Sequence, residues 1–417
     1  MAVWLLWAVV TASVAFAEDP ERLLHEHVAE QPELRAAEAG ARAAASQADA
    51  VGLWSDPMLS VELSSLPIDS LWLTHPMAGV QFRAQQTLPV PGALGATHAV
   101  AVASAREAQA RADEARARVE AAMVDAYWRV GLAERLLELT TAHRDRAQEL
   151  LVAVTGRYEV GQAQQSHVLR LQLLHDRLDD EVIELQSAVA QRRAELVGVG
   201  GDSIPGLTWA KSVAPLSAPG ALNDWIAAGH AHNHAVAALV SRQAQADAKD
   251  RLAGSELLPP VTLWAAYRVR RELLPQDVGR DFVSFGFSAP IPVTGPTRAR
   301  AKRDAADAGQ QQAGDAVDDA LRDLDAELTG VHLRWARASE RALRYDGSLR
   351  PLAEQALTAA LSSFQAGAGD FASLYDAEVA LLDVDRALAV ATYQTYLLRS
   401  RARVLVGGEL PSAATPR

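Results

Sequence analysis

The chain contains no cysteine, so no disulfide can brace it and no lipid can be attached through a thiol behind a leader. Beyond its first residues it has no apolar run long enough to span a bilayer as a helix, which leaves strands as the only means of insertion. A basic excess is missing too: 40 Lys and Arg face 52 Asp and Glu, a net charge of −12, and nucleic acid has nothing to grip. There is no phosphate loop, no Gly-x-Ser-x-Gly elbow and no metalloprotease pattern. The sequence therefore argues against a nucleic-acid-binding protein, offers no cofactor site and reads as a non-enzyme.

Charge is absent from the first 17 residues as well. The stretch Val3-Trp4-Leu5-Leu6-Trp7-Ala8-Val9-Val10 is too short to cross a membrane comfortably. It runs into Ala15-Phe16-Ala17, small residues at the positions a signal peptidase reads. Residues 1–17 are predicted to be a secretory signal peptide.

What the chain does have is repetition. Pro57-Met58-Leu59-Ser60-Val61 is echoed by Pro259-Pro260-Val261-Thr262-Leu263. Val80-Gln81-Phe82 with Pro89-Val90-Pro91-Gly92 returns as Val283-Ser284-Phe285 with Pro292-Val293-Thr294-Gly295. Tyr158-Glu159-Val160-Gly161 returns as Phe364-Gln365-Ala366-Gly367. Landmarks in one order at one offset, roughly two hundred residues, predict tandem modules. We place them at 18–205 and 206–410, with a disordered tail at 411–417. The glycine- and proline-rich residues 200–206 and 217–220 join them.

Each module follows one plan. A lead helix (about 20–54, and 220–255) precedes two alternating segments, near 57–66 and 78–88 in the first half and near 259–270 and 281–290 in the second. Leu59, Val61 and Leu63 oppose Ser60, Glu62 and Ser64; Leu263, Ala265 and Tyr267 oppose Thr262, Trp264 and Arg268. Such alternation suits a strand with lipid on one side and water on the other, or equally a sheet packed on a soluble core.

The rest of each module is helical. No proline interrupts Gly92 to Ile204, and Ala, Glu, Arg, Leu and Gln dominate. Long hairpins are predicted, with tips near 156–165 and 365–370 and a kink at Pro351. Leu136, Leu137, Leu150, Leu151 and Val154 supply only a narrow apolar stripe, and helices so thinly apolar need neighbours along their length. Acids and histidines scattered along them read as solvated faces.

Four strands cannot close a barrel, and an open edge in hydrocarbon leaves backbone groups unpaired at several kcal/mol each. Several copies must share one barrel, and three would supply twelve strands.

The residues also resemble a family. Gln31-Pro32-Glu33-Leu34, Asp56-Pro57-Met58-Leu59, Gln86-Thr87-Leu88-Pro89-Val90-Pro91-Gly92, Arg157-Tyr158-Glu159-Val160-Gly161, Phe364-Gln365-Ala366-Gly367 and Leu374-Tyr375-Asp376-Ala377-Glu378 are similar to the marks of TolC-like outer membrane efflux proteins. The resemblance implies a mainly α fold with a small β part: a homotrimer with a 12-stranded outer membrane β-barrel, four strands per chain, continued by an α-helical barrel through the periplasm. It implies outer membrane lipid as surroundings, and a periplasmic adaptor and an inner membrane pump of the resistance-nodulation-division type as partners.

By the same resemblance, Val160, Gly161 and Gln162 with Ala366, Gly367 and Ala368 are adaptor-docking candidates. Asp376, with His167 at the matching place in the first half, is a candidate for the pore constriction, where one carboxylate per chain would make a ring of three. Gly369 stands where the family often has a gate arginine, and Ser373 where another aspartate would be. Asp56-Pro57-Met58-Leu59 and Leu88-Pro89-Val90-Pro91-Gly92 resemble the heavy-metal branch.

Two further groups complete the reading. His230 and His234, four apart, are weak candidates for a metal pair, without an adjacent carboxylate or cysteine to complete a shell. Trp54, Trp72, Trp264 and Tyr267 lie near strand ends as candidate membrane-interface aromatics. The function expected is a passive outer membrane channel of a tripartite efflux system, its cargo open between metal cations, toward which the motifs lean, and drugs or other small molecules. The alternative is a periplasmic coiled-coil adaptor or scaffold, which usually carries one helical hairpin where this chain has two.

Overall fold

The structure, a computed structural model, describes residues 20–66, 68, 78–201, 213–255, 259–270, 280–291 and 294–411. The expected leader, Trp72, linker residues 202–212 and the tail from 412 lie outside the described residues.

The chain opens with α1 (Pro20–His27), a 3-10 turn (Val28–Glu30) and α2 (Pro32–Ala50), followed by β1 (Met58–Ser64), β2 (Gly79–Leu88), α3 (Ala93–Glu159) and α4 (Gln165–Gly200). Then come α5 (Leu222–His232), α6 (His234–Ser255), β3 (Val261–Val269), β4 (Phe282–Ser288) and α7 (Gly295–Arg344). A π-helical turn (Tyr345–Leu349), α8 (Arg350–Gln365) and α9 (Phe371–Val406) complete it. Mostly helix with one small sheet is the fold class expected. Among the described residues, no helix is long and apolar enough to cross a membrane.

Local chemistry sets the boundaries. Pro89 and Pro91 cannot donate to a ladder, and β2 stops at Leu88. The turn that follows hands Ala93 N–H to the Val90 carbonyl, and α3 then runs for 67 residues, about 100 Å at 1.5 Å per residue.

One expectation needs correction. Each lead helix is broken. Gln31 is extended (ψ 130°) because the proline ring of residue 32 disfavours an α conformation before it. Asn233 is extended too (ψ 121°), its side-chain amide donating to the Leu405 carbonyl at 2.9 Å. At Pro351, where the sequence predicts a kink, the chain passes through the π-helical turn and continues as α8. A wider turn accommodates the missing N–H of the proline.

The chain forms two compact units. One comprises residues 36–113 and 234–323 and holds the sheet. Its four strands are antiparallel in the order β1-β2-β3-β4. Val61 pairs with Phe82, Phe82 with Tyr267, and Tyr267 with Val283. Because strand side chains alternate, this register gathers one apolar row from all four strands on one face.

The other unit comprises the residues up to Arg35, 114–233 and 324 onward. One of its cores packs Leu150 and Val154 of α3, Leu171 of α4, Phe364 of α8, and Phe371 and Leu374 of α9. A second core joins Leu24 and Leu34 to Met123, Tyr127, Trp128 and Tyr393. Trp128 stacks edge-on against Tyr127 (5.0 Å) and Tyr393 (6.1 Å). Burial pushes the Tyr393 hydroxyl up to about 12.

Candidate functional site

The sheet has two unlike faces. Leu59, Val61, Leu263, Val283, Phe285 and Phe287 share one side and are exposed, Phe285 to 83 %. Water would penalise each such side chain by about 1.5–3 kcal/mol relative to burial. The opposite face is polar and internally bonded. Arg268 donates from Nε and Nη2 to Gln81 Oε1 at 3.2 and 2.9 Å. Thr87 and Thr262 share a hydroxyl hydrogen bond of 3.0 Å across the β2–β3 seam. Arg83 lies 4.8 Å over the Trp264 ring, and that ring covers Gly286 so closely that a Cβ there would meet it at 2.7 Å.

The sheet is also open. It ends in β1 on one side and β4 on the other, and no described residue pairs with either outer edge.

The two tips repeat one geometry. After α3, Gly161 takes φ +76°, its N–H meets the Tyr158 carbonyl at 2.9 Å, and Gln162 N–H meets that of Arg157 at 2.8 Å. After α8, Gly367 takes φ +75°, its N–H meets the Phe364 carbonyl at 3.1 Å, and Ala368 N–H meets that of Ser363 at 3.0 Å. Both are Schellman caps, with glycine in the left-handed region that a Cβ disfavours. Val160 stands 68 % exposed at the first tip. At the second, a Cβ on Gly369 would meet the Phe364 nitrogen at 2.7 Å. An arginine at this position therefore has no room unless the turn moves.

Asp376 is exposed on the second turn of α9, and His167 stacks on Phe371 with ring centres 4.3 Å apart and planes 12° off parallel. The other candidates are scattered. Tyr267 is on the apolar face, its hydroxyl donating to Asp281 at 2.7 Å; Trp264 is on the polar face, and Trp54 is exposed ahead of β1. His230 Nε2 lies 2.6 Å from Asp325 Oδ1. The helix on which it would share a face with His234 is interrupted at Asn233. Among the described residues, no group of three or more His, Cys, Asp or Glu is placed to hold a metal.

One cluster overturns the reading of acids and histidines as solvated. His143 of α3 is 2 % exposed, with Nδ1 2.7 Å from Glu378 Oε1 and Nε2 3.2 Å from Asp385 Oδ2, both on α9. Arg146 reaches Glu378 at 3.3 Å, and Arg350, the first residue of α8, donates to Asp385 at 2.9 Å. Beside them Arg386 donates to the buried Thr140 hydroxyl at 3.0 Å and to Glu181 of α4 at 2.6 Å. Burial alone would lower the His143 pKa; the hydrogen bonds to Asp385 and Glu378 outweigh it and raise it. Burial would likewise raise that of Asp385, but the His143 hydrogen bond and the charge of Arg350 hold it below the usual carboxylate range.

Solved structures share this architecture. The outer membrane protein VceC of Vibrio cholerae superposes with a TM-score of 0.76 at 20% identity, over 93% of this chain and 96% of its own. The outer-membrane channel OprN gives 0.77 at 19%, over 94% and 90%, and CusC gives 0.78 at 16%, over 94% and 92%. At such identities the likeness establishes the fold. No curated protein matches the chain by sequence. Residues 23–202 match the family model described as outer membrane efflux protein.

The sequence match to that family covers less than half of the chain, while the likeness in fold runs over nearly all of it. VceC is an outer membrane protein and OprN an outer-membrane channel. The sequence reading missed the His143 cluster, yet a signal was there. Glu378 and Asp385 are seven residues apart, in step with the buried Phe371, Leu374, Leu381, Leu382 and Ala389 of α9. A carboxylate in phase with an apolar stripe is buried by its helix whatever its residue type suggests.

Proposed function

We propose that the chain is a TolC-like outer membrane efflux protein, set in the outer membrane of a Gram-negative cell and reaching through the periplasm, where it is the exit duct of a tripartite export system and works as a homotrimer. The observation that carries the proposal is the sheet, which among the described residues has four strands, one apolar exposed face, one polar face and two unpaired edges. In lipid those edges would leave backbone groups unsatisfied, so β4 of one copy is expected to pair with β1 of the next. Three copies give twelve strands with the apolar row toward lipid and the Arg268, Gln81 and Arg83 face toward water. Residues 18–205 and 206–410 act as two repeats, each giving two strands and one helical hairpin. An adaptor with one hairpin accounts for neither the four strands nor the second hairpin.

In this reading Val160, Gly161, Gln162, Ala366, Gly367 and Ala368 meet a periplasmic adaptor, and an inner membrane pump supplies the energy. Asp376, one per chain, forms a ring that favours cations, with His167 nearby. Tyr267 and Trp54 are interfacial aromatics, and metal cations are the cargo, as the resemblance of the β1 and β2 motifs to the heavy-metal branch suggests.

Three measurements test it. The mature chain in detergent should run as a heat-resistant trimer and should give single-channel conductance in planar bilayers. A water-soluble monomer without conductance would overturn the duct. Cells lacking the chain should become sensitive to metal salts; sensitivity to organic drugs alone would overturn the cargo.

A further inference from the structure

His143 has a neighbour on each ring nitrogen, and both are carboxylates: Glu378 at Nδ1 (2.7 Å) and Asp385 at Nε2 (3.2 Å). A neutral imidazole has one N–H and one lone pair, so it can satisfy only one of them and must turn a lone pair toward the other. Only the imidazolium donates to both. The groups around it are not symmetric. Asp385 is also held by Arg350 from α8, which spans to Glu354 at 3.4 Å. Glu378 is held by Arg146 from α3, and Arg146 Nη1 itself lies 3.3 Å from His143 Nδ1. From α4 and α9, Glu181 and Arg386 pair with each other and meet the cluster through Thr140. Asp346 of the π-helical turn lines, with Arg350, Asp385 and Arg135, a cavity of about 270 Å³ on the Asp385 side.

We propose that His143 is a proton-operated pin between α3 and α9, releasing Glu378 while keeping Asp385 when it loses its proton. The remaining N–H stays on Nε2, where Asp385 is fixed by Arg350. The bared Nδ1 then faces Glu378 lone pair to lone pair, and Arg146 is near enough to donate to that nitrogen instead. Glu378 lies seven residues from the start of α9, on the tip side of Asp385. Release therefore loosens the first turns of α9 from α3 and leaves the contact at Asp385 in place. The raised pKa of His143 puts this transition above the ordinary imidazole value of about 6.5.

The absence of cysteine makes the test direct. Spin labels at Ala153→Cys on α3 and Ser373→Cys on α9, both exposed, report the spacing in the full chain in detergent. Between pH 6 and pH 9 the distance distribution should broaden and lengthen. In Glu378→Gln the amide can accept from the imidazolium and donate to the neutral ring, so the response should vanish. His143→Gln should abolish it too. An unchanged distribution without either substitution, or the same response in Glu378→Gln or in His143→Gln if only that variant folds, would overturn the pin. Trimer formation and conductance are measured separately, so either result leaves the duct proposal standing on its own test.

Discussion

Arg157, at the end of α3, donates through Nη2 to the Gln365 carbonyl at 2.7 Å and lays its guanidinium 4.6 Å over the Phe364 ring. The first tip thus caps the second, since Gln365 ends α8 and its carbonyl has no partner within that helix. The cation–π contact is worth about 0.5–1 kcal/mol and the charge-assisted hydrogen bond about 1.5. Arg157→Ala should weaken the second turn by roughly 2 kcal/mol, and amide exchange at Phe364–Ala368 should speed up more than tenfold. Unchanged exchange would mean that the two tips hold themselves independently.

The glycines should rank by mechanism. Gly161→Ala meets open space but keeps a left-handed φ, at about 1–2 kcal/mol. Gly369→Ala drives a Cβ into the Phe364 and Ser363 backbone, so the turn itself must shift and the loss should be larger. Gly156→Ala, inside α3 with nothing within 4 Å, should instead stabilise by about 0.5–1 kcal/mol. Thermal melting of the three variants checks the order.

The sheet predicts a face-dependent response to charge. Phe285→Arg, on the apolar side, should cost about 2–4 kcal/mol and abolish recovery of heat-resistant oligomer in lipid. Ser284→Arg, one residue away on the polar side, should be recovered normally. Equal losses would contradict the lipid-facing assignment.

Asp385 sets an acid limit. Its folded pKa lies below its unfolded value, so its contribution is complete above about pH 3.9 and fades as pH falls through the lower folded value. His143 works oppositely: its contribution is complete below about 6.5 and fades as pH rises through its raised folded value. Stability should therefore be greatest between these limits. Asp385→Asn should cost about 1–3 kcal/mol at neutral pH and flatten the acid loss. Melting temperature against pH, with and without the substitution, measures both effects.

Much of this was legible in the residues. The alternation of Leu59, Val61 and Leu63 and of Leu263, Ala265 and Tyr267 marked the strands, because strand periodicity is local. Gly161 and Gly367 marked the tips, because a positive φ is a demand on one residue. The break at Asn233 was not legible, because it depends on the Leu405 carbonyl far along the chain. Nor was the π-helical turn, since proline announces only that a bond is missing and the chain decides how to absorb it. The His143 cluster was lost because charge was read by residue type. Its burial follows from where two separate helices meet.

The central seam of the sheet joins Val80 to Val269. The polypeptide between them must be made before that seam can zip. Local helical hairpins need no such wait, so strand assembly comes late in maturation. Until then the greasy ribbon ahead of α3 stays unmatched in water, where only a holdase or rapid pairing can keep it from clumping.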